Sequence, residues 1–202
     1  MRTLRLTLTS FFTLLLTLCI TQTNAQPWTE DFNTGLAGSY TTGTQTLSSG
    51  TWSTVVVFRE SSGNSRGGSG AAARINDDIA GASLTTPALN TVGTVEFWYR
   101  ELSSGGGTFD LQTSTDGTNF TTVASQAYSG TTYTQYSYDI NSSESVIYVR
   151  ILSDDNPGHL IIDDFSVSAG PSGSTAEMDY YNLQWPANGT MDIGGSFIAY
   201  AQ

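Results

Sequence analysis

The chain has 202 residues, enough for one domain or for one domain and a fragment of another. Eighteen acidic residues stand against seven arginines and no lysine, a formal charge of −11, so there is no basic patch to displace phosphate counterions. That excludes an electrostatic nucleic-acid binder and a protein that docks on an anionic membrane surface, while 38% hydrophobic and 11% aromatic residues exclude wholesale disorder.

Residues 1–25 read as a secretory signal. Arg2 and Arg5 form the charged start, Phe11 to Ile20 the apolar run, and Thr23-Asn24-Ala25 a small-residue cleavage site before Gln26. The run is too short for a permanent membrane anchor, which needs about 20 residues. The expectation is a secreted or cell-surface protein with no membrane insertion after cleavage. Cys19, the only cysteine, leaves with the signal. The mature chain then carries five arginines, 18 acids and a net charge of −13, and no disulfide can form. Its stability must come from a core, with a metal as a possible addition.

Beyond the signal the chain reads as strands. β-branched and aromatic residues cluster between Gly, Asn, Asp and Ser in 51–59, 72–76, 91–101, 108–114, 119–125, 132–140, 146–152 and 160–168. Asp116-Gly117 suits a tight hairpin and predicts that the strands on either side of it pair. SSGNSRGGSG at 61–70 and LSSGGG at 102–107 read as flexible loops. Residues 170–175 form a linker of small residues, and 176–202 reads as the start of a second β segment that is not completed, or else as a hairpin added to the first domain. Strands at this spacing imply a sandwich or a barrel over 26–169.

Catalytic constellations are scarce. His159 is the only histidine and sits after a turn, so Ser-His-Asp chemistry and a zinc site both lack partners. Two carboxylates suffice for a glycosidase, but Glu96 and Glu101 are five apart on one strand and point to opposite faces. Glu96 would need a neighbour such as Asp110. The reading is therefore of a protein that is not an enzyme.

Strand alternation places Glu96, Trp98 and Arg100 on one face, opposite Val95, Phe97 and Tyr99, which read as core. It likewise pairs Gln112 with Asp110, and Tyr148 with Arg150. Aromatic rings, amides and charged groups on a sheet suit sugars, since rings stack on rings and hydroxyls bond to polar groups. Glu96, Trp98, Arg100, Gln112, Tyr148 and Arg150 are the candidate ligand site; the alternative is a covered structural face with buried Arg–carboxylate pairs.

The order of the pieces resembles a known family. Trp28-Thr-Glu-Asp-Phe-Asn33 opens the domain, followed by Leu84-Thr-Thr-Pro-Ala-Leu89, Val95-Glu-Phe-Trp-Tyr-Arg100, Leu111 to Phe120, Thr132 to Tyr138, Val146-Ile-Tyr-Val-Arg150 and Ile161-Ile-Asp-Asp-Phe-Ser-Val167. This is similar to the jelly-roll adhesin and MAM-like modules of large secreted bacterial proteins, cleaved-adhesin domains among them. The resemblance implies an all-β, two-sheet jelly-roll sandwich and a non-catalytic module whose partner is a glycan or a cell-surface protein. The alternative is the accessory domain of a secreted hydrolase. A jelly roll of this kind brings its first and last strands together, and with them Glu30, Asp31 and Asn33 near Asp163 and Asp164. Alternation with Phe165 and Val167 predicts a core-facing Asp163, costly to bury unless it is paired or holds a metal. Calcium, which needs only oxygen ligands, is the expected ion there, and the resemblance supports it. Amide capping of Asp163 or an arginine partner is the alternative. Asp77-Asp78 and Asp154-Asp155 read as solvated turns.

Overall fold

A computed structural model describes residues 27–76, 78–103, 105–153 and 159–171, the side chain of Ser62 excepted. The signal segment, Asp77, Asp154-Asp155, most of the linker and the segment 176–202 lie outside the described residues.

Eleven strands make up the domain: β1 (Trp28–Glu30), β2 (Thr41–Leu47), β3 (Gly50–Glu60), β4 (Ala72–Ile75), β5 (Ser83–Thr85), β6 (Val92–Glu101), β7 (Gly107–Ser114), β8 (Thr121–Tyr128), β9 (Thr134–Ser142), β10 (Tyr148–Ser153) and β11 (Leu160–Val167). All the pairings are antiparallel. The hydrogen-bonded order is β8-β7-β10-β5-β3-β4-β11-β6-β9, with β2 beside β3 and β1 beside β11. β3 belongs to both layers of a sandwich. Ser53–Val55 pair with β5, Val57–Glu60 pair with β4, and Val56 between them has φ +54, a kink that a β-branched residue adopts only under tertiary constraint. The front sheet is β8-β7-β10-β5-β3-β2 and the back sheet β3-β4-β11-β6-β9 with β1.

The core lies between the layers and is rich in aromatic pairs. Phe97 of β6 lies 5.5 Å from Phe109 of β7, Tyr99 lies 5.2 Å from Phe109, and Trp52 of β3 lies 5.5 Å from Phe165 of β11, measured between ring centroids. Ile151, Leu111 and Leu84 complete the front layer and Val95, Ile162 and Leu160 the back, all essentially inaccessible. β6 and β7 therefore face each other across the core, and what points outward from one points away from the other.

The Asp116-Gly117 turn joins β7 to β8 as the sequence predicts, with Gly117 at φ +70. Asp116 binds the turn tightly: its carboxylate accepts from the amides of Thr118 and Asn119 and from the Asn119 side chain, and its pKa lies well below the ordinary value, the Asn119 amide being the largest cause.

Candidate functional site

The six residues predicted to form one ligand site do not share a surface. Glu96, Trp98 and Arg100 point out of the back sheet; Gln112, Tyr148 and Arg150 point out of the front sheet, on the other side of the sandwich. The two groups come from strands that face each other across the core, which a single sequence does not reveal. For the same reason Glu96 and Asp110 cannot act as a facing carboxylate pair.

The back-sheet group lies under a strap. Residues 61–70 are not an unstructured loop: Ser62–Asn64 and Arg66–Gly68 form two 3₁₀ turns laid across the outer face. The Arg100 guanidinium, 8% exposed, is held by the backbone carbonyls of Glu101, Thr131 and Asn64 and, at 2.6 Å, by Asn64 Oδ1. Tyr133 donates its hydroxyl to the Asn64 carbonyl at 2.8 Å, and burial, with the Asp163 charge adding, pushes its pKa up to about 12. The Arg66 guanidinium lies over the Trp98 ring, 4.2 Å from its centroid, and pairs with Asp164. Glu60 fixes the strap's start, accepting from Ser61 N, Asn64 Nδ2 and Arg74. Trp98 and Arg100, which suggested sugars here, already have protein partners.

The Asp163 prediction is corrected in its direction. Asp163 pairs with Trp98 and Ile161 with Arg100, both outward positions, while Leu160 and Ile162 join the core. The register of β11 against β6 then shifts between Asp163 and Ser166, at Asp164 (φ +47), so Phe165 and Val167 return to the core. A bulge breaks the period of two that the alternation argument assumed. Asp163 is nonetheless only 3% exposed, because the strap covers it. Its carboxylate accepts from the amides of Arg66 at 2.7 Å and of Asp164 at 2.9 Å. Burial is the largest cause of a pKa raised to about 6, the amides opposing it and the charges of Asp164 and Asp31 adding to it.

The ends of the domain do meet, since β1 runs antiparallel to β11 with Glu30 opposite Phe165. Glu30 is buried and its carboxylate is occupied. Oε1 accepts from Phe32 N, and Oε2 from Ser48 Oγ, Ser49 N and Ser49 Oγ. Asp31 accepts from the backbone and side-chain nitrogens of Asn33, and Asn33 Oδ1 accepts from Ala71 N. Among the described residues no three Asp, Glu, His or Cys side chains converge in a way that could hold a metal ion.

The front sheet presents a different surface. Its register lines up Thr44, Ser53, Thr85, Arg150, Gln112 and Thr122 across six strands. At adjacent spacings of about 4.8 Å this row spans roughly 24 Å. Arg150 sits at its centre, half-buried. Its guanidinium carbon is 3.8 Å from the centroid of Phe120, and its Nε donates to Gln112 Oε1 at 2.7 Å. Gln112 in turn donates to Thr122 Oγ1. Asp110, on the same face, accepts from Ser125 and Thr122 and not from Arg150. Tyr148, two residues before Arg150, lays its ring against Gly117, where a Cβ would stand 3.2 Å from it. Burial lowers the Arg150 pKa from its ordinary value, far too high for the group to lose its proton near neutrality. Phe120, whose ring backs the guanidinium, was not among the sequence candidates: it lies beyond the turn, with no period to tie it to Arg150.

Comparison with solved structures places the fold. The chain is similar to the K2 cleaved adhesin domain of Lys-gingipain (TM-score 0.56, 13% identity, 72% of this chain and 99% of that one). The K1 cleaved adhesin domain of Lys-gingipain from Porphyromonas gingivalis W83 is similarly close (0.53, 14%, 73% and 100%). So is the CBM22-1 xylan-binding domain of Xyn10C from Paenibacillus barcinonensis (0.53, 11%, 73% and 97%). The fold is thus a two-layer all-β sandwich similar to that of the cleaved adhesin domains, the architecture that the sequence resemblance implies. No family model and no curated protein matches the chain.

Proposed function

We propose that this is a secreted, non-catalytic binding module that engages a glycan at the outer face of its front sheet. The observation that carries the reading is the row centred on Arg150: hydroxyls, an amide and a fixed guanidinium, flanked by the Tyr148 and Phe120 rings, on a surface that no strap covers among the described residues. The fold similarity to adhesin and xylan-binding domains supports it; fold alone does not name a ligand. A cell-surface protein is the alternative partner. The hydrolase-associated reading draws on a similar fold in a Clostridium thermocellum endo-xylanase chain, of which this chain covers 29% (TM-score 0.51, 13% identity, 73% of this chain). The test is co-sedimentation with insoluble polysaccharides and a soluble glycan array. Retention that Arg150→Gln abolishes supports the reading, and absence of any glycan binding overturns it. No helix among the described residues is long and apolar enough to cross a membrane.

Calcium at the meeting of the domain's ends is a separate proposal. Its support is Asp163, a buried carboxylate with no guanidinium in contact among the described residues, beside the charges of Asp31 and Asp164. A divalent ion would neutralise what two amides leave charged. Glu30, Asp31, Asn33, Asp163 and Asp164 all have protein partners here, so holding the ion would require Asp31, Asp163 and Asp164 to turn oxygens from those partners toward it, with Glu30 and Asn33 in support. A midpoint of unfolding that rises with calcium and falls with chelator is expected; a midpoint indifferent to both removes calcium from the account.

A further inference from the structure

Among the described residues Arg150 is the one cation on the outer face of the front sheet, and it makes no ion pair. The other described arginines are placed differently. Arg66 and Arg74 pair with Asp164 and Glu60, Arg100 is surrounded by oxygen acceptors, and Arg59 binds the Asn33 carbonyl at an end of the sandwich. Arg150 is held by one face and one edge. Phe120 backs its plane and Gln112 takes its Nε–H, which fixes the direction in which the two terminal nitrogens present their N–H groups. Asp110, the carboxylate on the same face, is bonded to Ser125 and Thr122. A half-buried guanidinium, immobilised and without an anion, is a partner for a planar carboxylate, which its fork matches with two parallel bonds. The exposed hydroxyls of Ser53 and Thr44 in the same row suit the ring hydroxyls of the sugar that bears it.

Resting on the glycan-binding reading above, we infer that the sugar bound at Arg150 is a hexuronate, so that the preferred ligand is an acidic glycan. A chain of net charge −11 repels a polyanion over long range. Salt screens that repulsion, whereas the close contact at a half-buried guanidinium is screened less. Binding therefore holds or strengthens as ionic strength rises from low to physiological, the opposite of non-specific ion exchange.

The experiment is a titration of the protein, in the presence of chelator, with oligogalacturonate, with the same oligomer methyl-esterified, and with neutral xylo-oligosaccharide. Esterification removes the charge without touching the protein, so the result does not depend on a variant folding. At least tenfold weaker binding of the ester than of the acid is expected. Arg150→Lys, which keeps the charge and loses the fork, should lose at least tenfold for the acid and little for the ester. Equal binding of acid and ester, preference for the neutral oligomer, or binding that weakens steeply with salt overturns the inference and leaves the glycan reading standing. Failure to bind any of the three, or any glycan on an array, overturns both.

Discussion

At the scale of single residues the most consequential is Asp163, which the fold keeps charged where a proton would sit more comfortably. Its pKa is about 6 in the folded domain against 3.8 for the free group. The folded state therefore binds this proton more tightly than the unfolded chain does. The stability gained is present in full below pH 4 and is lost as pH rises through 6. In chelator, the wild type should lose on the order of 2 kcal/mol relative to Asp163→Asn across that window. Urea unfolding at pH 4, 5, 6 and 7 measures it; parallel curves for the two proteins would contradict the assignment. With calcium the order should reverse, since only the carboxylate gains from the ion. Gly70 gives a second residue-level expectation. It has φ +89, and a Cβ there would overlap Asn33 Oδ1, the acceptor of the Ala71 amide. Gly70→Ala should cost about 2 kcal/mol or more and lower the midpoint of unfolding by about 4–8 °C.

At the scale of elements, the strap 61–70 decides what the back sheet can do. Its composition is that of a linker, yet two backbone amides, a carbonyl and an amide side chain tie it to Asp163, Glu60, Tyr133 and Arg100. Arg66→Ala removes the stack on Trp98 and the pair with Asp164, both half-exposed, and should cost about 1 kcal/mol. Hydrogen exchange of residues 61–70 should accelerate while that of β6 stays slow; uniform protection across both would show that the strap does not depend on Arg66. The long strands were legible in the sequence, since β3, β6, β7, β10 and β11 carry β-branched, aromatic or aliphatic residues clustered between turn residues, and the β7–β8 turn carries Asp-Gly. β1, β2 and β5 were not: two are three residues long and β2 is mostly Thr and Gly, so neither length nor period marks them. The site was legible only in part. Alternation gave the correct outward side for Trp98, Arg100, Gln112, Tyr148 and Arg150, but the assignment of strands to layers depends on pairings distant in sequence. Asp163 was misplaced because a bulge at Asp164 leaves no trace in hydrophobic periodicity.

At the scale of the whole molecule, the strap 61–70 lies across the back sheet's outer face, and no described segment crosses the row at Arg150 on the front sheet. The glycan-binding proposal rests on that asymmetry, with binding at the front sheet and a structural role for the residues around Trp98. Two variants, each carried through a binding isotherm on oligogalacturonate and a thermal melt, test the claim most directly. Arg150→Gln should lose binding by at least tenfold and melt within a few degrees of wild type, since the neutral side chain retains contact with Phe120 and Gln112. Trp98→Ala should keep wild-type binding and lose about 2 kcal/mol of stability, because it empties the space beneath Arg66. If Trp98→Ala abolishes binding with an unchanged midpoint while Arg150→Gln binds normally, the ligand lies on the back sheet and the account is wrong.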